Sequence, residues 1–350
     1  SRAGQEPEWL AGIPVGSING ALIAGNRPGD RLAALRSFWE GVTGAPWLTG
    51  NWLEAVPQPP GMRALWRESR AAMSTLFGAP GFFRPKLPDM SAFLPGLMRQ
   101  TSWYDTAPLR ETLERLVDWD YLNGEGPRLT VGAVDIQSGN FTCFDSRETR
   151  LGVDHIMASG ALPPGFPAVE IDGRHYWDGG LVSNSPLQVV LATPNQRPLC
   201  IYQVDLYQSR DGLPQTMSQI EQREREIRFS SRTRLNTDEF RDRHALARAA
   251  RRLRLRLPEG LRDDPDLAML VEAGPAYPVS LMHLIYRHAD YESGSKDYEF
   301  SRLSMLEHWR DGLRDATRSL SDPRWTGREV PEDGLMVFDA NDPHGSPPPA

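Results

Sequence analysis

The sequence predicts an α/β fold, a largely parallel sheet that also carries antiparallel hairpins. Three observations lead there. Short apolar runs bounded by glycine and proline alternate with stretches whose apolar residues recur at helical spacing. Two segments, 128–144 and 169–177, read as strand pairs joined by turn residues. The composition is that of a globular chain: 350 residues, 39% hydrophobic and 24% charged, enough to bury one or two cores and too apolar for disorder throughout.

The elements follow in order. Trp9-Leu10-Ala11-Gly12-Ile13 reads as a short buried strand that runs into a helix of small and apolar residues, Gly16 to Gly25, so a strand-to-helix turn falls on residues 12–16. Leu32, Leu35, Phe38, Trp39 and Val42 mark an amphipathic helix over 31–42. From there to about residue 100 the chain is rich in Pro, Gly, Trp and Phe and reads as a lid-like insertion. Arg128 to Asp135 and Gly139 to Phe144 pair as a hairpin, a short helix follows near 153–159, and a proline-broken loop runs over 162–167. Val169-Glu170-Ile171 and His175-Tyr176-Trp177 flank Asp172-Gly173, a type I′ turn signal. Leu199 to Asp205 and Val279 to Tyr286 are further strands, and residues 216–256 and about 296–319 are helical. In 216–256 an apolar stripe of Leu246, Ala249, Ala250, Leu253 and Leu257 predicts the packed face, with Arg248, Arg251 and Arg252 among the basic residues around it.

Charge and motifs exclude several functions. The 39 basic and 46 acidic residues leave a net charge of −7, which argues against a dedicated nucleic-acid binder. Cys143 and Cys200 are too few for a disulfide scaffold or a cysteine-ligated zinc, and a reducing cytoplasm is the expected location. No window approaches the ~20 apolar residues of a membrane span. No His-Glu-x-x-His, Walker loop or Gly-x-Gly-x-x-Gly occurs, so neither a metal nor another cofactor is expected. The seven histidines, 155, 175, 244, 283, 288, 308 and 344, are scattered, with no motif marking one as a triad member.

Two loops carry the chemistry. Gly12-Ile13-Pro14-Val15-Gly16 lies between a strand and a helix; Asp178-Gly179-Gly180 ends a strand and precedes Asn184-Ser185-Pro186. A Gly-x-Ser-x-Gly elbow lifts its serine above a sheet because small flanking residues let strand and helix cross closely. Here the glycines fit and the serine is absent. An aspartate at a strand end beside two glycines can approach such an elbow and take the nucleophile's proton.

These residues resemble the patatin-like lipid acyl hydrolases, or patatin-like phospholipases. Ala158-Ser159, Pro163 to Pro167, Val169 to Gly173, Tyr176, Asp178-Gly179-Gly180 and Asn184-x-Pro186 look like that family's aspartate region; Trp9 to Asn26 looks like its elbow and following helix. Ser295 to Ser301 resembles the C-terminal extension of a bacterial patatin-like group. The resemblance implies a three-layer α/β/α sandwich over 1–210 and a mainly helical extension over 211–335; the composition at the end of the chain, Gly345-Ser346-Pro347-Pro348-Pro349-Ala350, predicts a disordered tail over 336–350. The resemblance also implies hydrolysis of a phospholipid or other acyl ester by a Ser-Asp dyad, with Asp178 as base, Gly12, Gly16, Gly179 and Gly180 supporting the loops, and no catalytic histidine. Pro14 occupies the nucleophile's position. The family's first strand and glycine-rich oxyanion loop precede the elbow, and they are expected to be missing here.

Pro14 has no hydroxyl and fixes φ near −65°, whereas an elbow nucleophile sits in a strained turn. Ser17 is the candidate substitute, but one helical turn displaces a side chain by ~5 Å and no second glycine pair surrounds it. The leading expectation is a lipid acyl hydrolase chain inactive as it stands. Two others stay open: a non-catalytic lipid-binding module that docks peripherally on anionic membrane through Arg248, Arg251 and Arg252, and a chain completed by a separate N-terminal fragment.

Overall fold

The computed structural model describes residues 6–44, 76–86, 101–183, 186–193, 197–208, 212–286, 300–329 and 334–340. The lid-like insertion falls largely on 45–75 and 87–100, outside the described residues. The fold is mixed α/β, and the chain divides into two compact units, 1–186 with 289–309 and 187–288 with 310–350. That division cuts across the boundaries expected near 210 and 335, because the strand and helices after residue 187 find their partners in later sequence.

Unit 1 is built on a five-stranded sheet. Its strands are β1 (Trp9–Gly12), β4 (Arg128–Asp135), β5 (Phe141–Asp145), β6 (Val169–Ile171) and β7 (Arg174–Asp178); a separate two-residue pair, β2 (Arg84–Pro85) and β3 (Tyr104–Asp105), lies between β1 and β4 in sequence. The expected balance of strands is reversed: only β1–β4 is parallel, and β4–β5, β4–β7 and β6–β7 are antiparallel. β6 and β7 turn through Asp172 and Gly173, both at positive φ (52° and 78°), as the Asp-Gly signal predicts.

The register has a consequence for the site. β1 pairs with β4 residues 128–131 and β7 with 133–135, while β5 pairs with 130–134 and overlaps both. β5 therefore holds one edge of β4, and β1 and β7 share the other, end to end. β1 runs with β4 and β7 against it, so their C-termini meet opposite Gly132. β1 is pinned there by a buried chain of polar contacts: Trp9 Nε1 donates to Thr130 Oγ1 (2.8 Å), Thr130 donates to Asp145, and Arg128, stacked over the Trp9 ring, donates to both Asp145 oxygens.

Helices α1 (Val15–Ala24) and α2 (Arg31–Thr43) follow β1. Ile18, Ala21 and Leu22 of α1 are buried with Phe38 and Val42 of α2, and Trp39 Nε1 donates to Asn19 Oδ1 (3.0 Å), which fixes α2 against α1. Helices α3 (Ala107–Leu116), α4 (Trp119–Asn123) and α5 (Val153–Ser159) complete this core, in which Phe82, Phe83, Tyr104, Phe166 and Phe300 meet ring against ring. Such aromatic pairs contribute about 0.5–1.5 kcal/mol each beyond the area they bury.

Unit 2 holds a three-stranded parallel sheet in the order β10 (Leu335–Asp339), β9 (Val279–Ile285), β8 (Leu199–Asp205). The first residues of the tail expected to be disordered thus form a strand. Helix α6 (Leu187–Ala192) precedes β8; the 40-residue α7 (Met217–Arg256), α8 (Glu259–Arg262) and α9 (Pro265–Glu272) separate β8 from β9. Helix α10 (Arg302–Ser321) enters from unit 1, and α11 (Pro323–Thr326) leads to β10. Thr216 caps α7 by accepting from the Gln219 amide, and Gln219 Oε1 accepts in return from the Thr216 amide.

The packed face of α7 differs from the predicted stripe. Thr237, His244, Ala247 and Ala250 are buried, whereas Leu246 and Leu253 are each 52% exposed. The cause is close packing against the turn after α9: a Cβ on Gly274 would lie 3.0 Å from His244 Cα and 3.1 Å from Ala247 Cβ. Where backbones approach so closely, small residues face inward and leucines are turned out.

Candidate functional site

The two chemistry-bearing loops meet at Gly132. A Cβ on Gly179 would fall 2.6 Å from the Gly132 carbonyl oxygen and 2.9 Å from Ile13 Cγ2, so the turn after Asp178 lies directly on the turn before Pro14. The Asp178 amide donates to Ala161 O (3.0 Å), and a Cβ on the neighbouring Gly160 would touch Pro14 Cβ at 3.9 Å. The segment 159–161 thus reaches both loops. Sequence reasoning named Ser159 but did not single out Gly132, Gly160 or Ala161; an isolated glycine inside a strand pattern, a sign of close backbone approach, was the signal available for Gly132.

At the elbow, Gly12 has no room for a side chain: a Cβ there would lie 2.1 Å from the Gly16 carbonyl carbon. Gly16 itself faces open space, so crowding does not require its glycine. Pro14 stands at the N-cap of α1 with φ −70° and ψ −44°, an ordinary helical conformation. Its carbonyl accepts from the Ser17 and Ile18 amides at 3.1 and 3.4 Å and from the Ser17 hydroxyl. Ser17 is 0% exposed. Its hydroxyl is therefore turned back on its own helix and shut away from solvent.

Asp178 ends β7 at 4% exposure, and its Oδ1 accepts from the Gly180 amide at 2.7 Å. Burial raises its pKa to about 7, and the single amide bond only partly opposes that rise. No charged group adds to either effect. At neutral pH the carboxyl is poised between its two forms, the condition under which a general base works best.

Among the described residues no histidine is hydrogen-bonded to Asp178 or Ser17. His155 is buried in α5 against Phe144, its Nδ1 accepts from the Gly152 amide, and burial lowers its pKa. Among the described residues no cluster of three His, Cys, Asp or Glu could hold a metal, and no helix is long and apolar enough to cross a membrane. Asn184 and Ser185 lie outside the described residues.

The three arginines assigned to membrane docking lie on α7 in unit 2 and differ in role. Arg251 donates to the Val271, Gly274 and Pro275 carbonyls (3.2, 3.1 and 2.9 Å), so it holds the end of α9 and is not available to a headgroup. Arg248 is half-buried, and Arg252 is exposed.

Known proteins bear on this geometry. A family model described as patatin-like phospholipase matches residues 1–191, and a second, described as patatin phospholipase, matches 227–332. No curated protein matches the chain. Among solved structures, VipD from Legionella pneumophila aligns at 10% identity with a TM-score of 0.30, over 88% of this chain and 61% of that one.

Proposed function

Because the chain belongs to the patatin-like phospholipase family, whose model covers more than half of it, we propose that the Gly132 junction is a lipid acyl-ester site that does not turn its ligand over. In a complete dyad, a serine oxygen at position 14 would attack the acyl carbonyl while Asp178 takes its proton. The tetrahedral intermediate would then expel the alcohol, and water would release the fatty acid from the acyl-enzyme. Pro14 has neither the oxygen to attack nor the proton to give.

The observation that carries the reading is the meeting of the Asp178 and Pro14 loops across Gly132, with an aspartate whose carboxyl titrates near neutrality and a neighbour that cannot use it. Ser17 does not repair the gap, since its hydroxyl is buried and bonded to Pro14 O. Losing a catalytic nucleophile typically costs about 10⁶-fold in rate.

A short-chain chromogenic acyl ester tests the proposal. The chain and Asp178→Asn are both expected to match the buffer blank, and turnover abolished by Asp178→Asn would overturn the reading. Pro14→Ser should in turn gain labelling by a serine-reactive fluorophosphonate that the unaltered chain lacks. Adding Asp178→Asn to that variant should reduce the labelling. A non-catalytic lipid-binding module, the second reading, is favoured by the same feature: the scaffold persists where the nucleophile does not.

A further inference from the structure

We propose that the outward face of the C-terminal half of α7 docks the protein on an anionic lipid surface, through Leu246 and Leu253 flanked by Arg252 and Arg256. This goes beyond the acyl-ester site, which lies in unit 1, and does not depend on it.

The two leucines stand seven residues apart, two helical turns, with the exposed Ala249 between them, so they form one ridge on the side of α7 opposite His244 and Ala247. Among the described residues the ridge stays open to solvent, with Leu246 and Leu253 each 52% exposed. From Arg243 to Arg256 the helix holds six arginines and no acidic residue, although the whole chain carries −7. Several of these charges are already engaged: Arg251 with carbonyls, Arg254 with Asp263 (3.1 Å) and Arg243 with Glu239 (2.9 Å). Arg252 and Arg256 are exposed and have no hydrogen bond or ion pair among the described residues. Two carboxylates stand on the same side, Asp242 one turn and Glu239 two turns before Leu246, and Glu239 is paired with Arg243.

Chemistry decides between occupants. Two half-exposed leucines and an alanine fall far short of the ~800 Å² per partner that a stable protein interface buries. A narrow apolar ridge with arginines beside it suits the boundary between headgroups and acyl chains, where leucines insert and guanidinium groups meet phosphates.

The test is co-sedimentation of the full chain with vesicles of phosphatidylglycerol and phosphatidylcholine, against vesicles of phosphatidylcholine alone, read as binding so that hydrolysis plays no part. Binding is expected to the anionic vesicles only and to weaken as salt screens the charges. Arg252→Glu with Arg256→Glu should weaken it by at least ~25-fold, at about fivefold per charge lost. Leu246→Ser with Leu253→Ser should weaken it too, with circular dichroism and unfolding temperature unchanged because all four side chains are exposed. Failure to bind anionic vesicles, equal binding to neutral ones, or binding that survives the arginine reversals would overturn the proposal. So would a concentration-dependent dimer that the leucine pair abolishes in the absence of vesicle binding.

Discussion

Asp178 links the site to stability at the scale of one residue. Its carboxyl is an ordinary acid near 3.8 when unfolded and titrates at about 7 when folded, so between those values the native state binds a proton that the unfolded chain does not. Stability attributable to this group is highest below about pH 4, falls as pH rises through that window, and stays at its lowest above pH 7. Three pK units correspond to at most about 4 kcal/mol. Asp178→Asn keeps an oxygen for the Gly180 amide and removes the charge. In urea unfolding the variant should gain over the unaltered chain at pH 8 and show little gain at pH 4; a gain independent of pH would refute the linkage. The elbow glycines make a second prediction. Gly12→Ala drives a methyl into the Gly16 backbone and should cost at least about 3 kcal/mol. Gly16→Ala, in open space on a helix, should cost nothing and gain up to about 0.5 kcal/mol. Thermal melts of the two variants would separate a glycine demanded by packing from one that is not.

At the scale of elements, α7 shows where sequence pattern and packing part. Hydrophobic periodicity correctly predicts a helix over 216–256, and the Thr216–Gln219 cap marks its start. Of the predicted stripe it places Ala250 correctly but turns Leu246 and Leu253 inward, because it weighs leucine above alanine, while the turn at Gly274 selects for smallness. Information about that turn lies some thirty residues downstream. Arg251 replaces what a hydrophobic seam would have supplied, bonding the carbonyls of Val271, Gly274 and Pro275. Arg251→Ala should destabilise the protein by about 2–3 kcal/mol, measured by chemical unfolding, because charged hydrogen bonds are lost and their acceptors are left unmet. Arg252→Ala, one residue on and exposed, should change stability by less than about 0.5 kcal/mol. The hairpin at Asp172-Gly173 is the opposite case, legible because the two turn residues and the flanking strands are local.

Across the whole molecule, the residues of the candidate site were legible and their junction was not. Asp178, Gly179, Gly12 and Pro14 stand out as strand-end motifs, since each loop's chemistry is written within five residues. That β1 and β7 abut along one edge of β4 follows from a register spanning residues 9–178, and an alternating pattern carries no information about which edge a strand takes. The division into two units was hidden for the same reason, since β8 pairs with strand 279–285 and that strand pairs in turn with 335–339.

The discontinuity of unit 1 bears on the order in which the protein can assemble during synthesis. β1 leaves the ribosome more than a hundred residues before β4, its strand partner among the described residues, and waits for it in the meantime. Even when Asp178 has emerged, Phe300, whose ring packs against Phe82 and edge-to-face on Phe83, is still to be made, and much of unit 2 is translated before it. The aromatic core of unit 1 therefore closes only late in translation, so a nascent chain arrested near residue 200 should carry both loops of the candidate site and still lack Phe300 from that core.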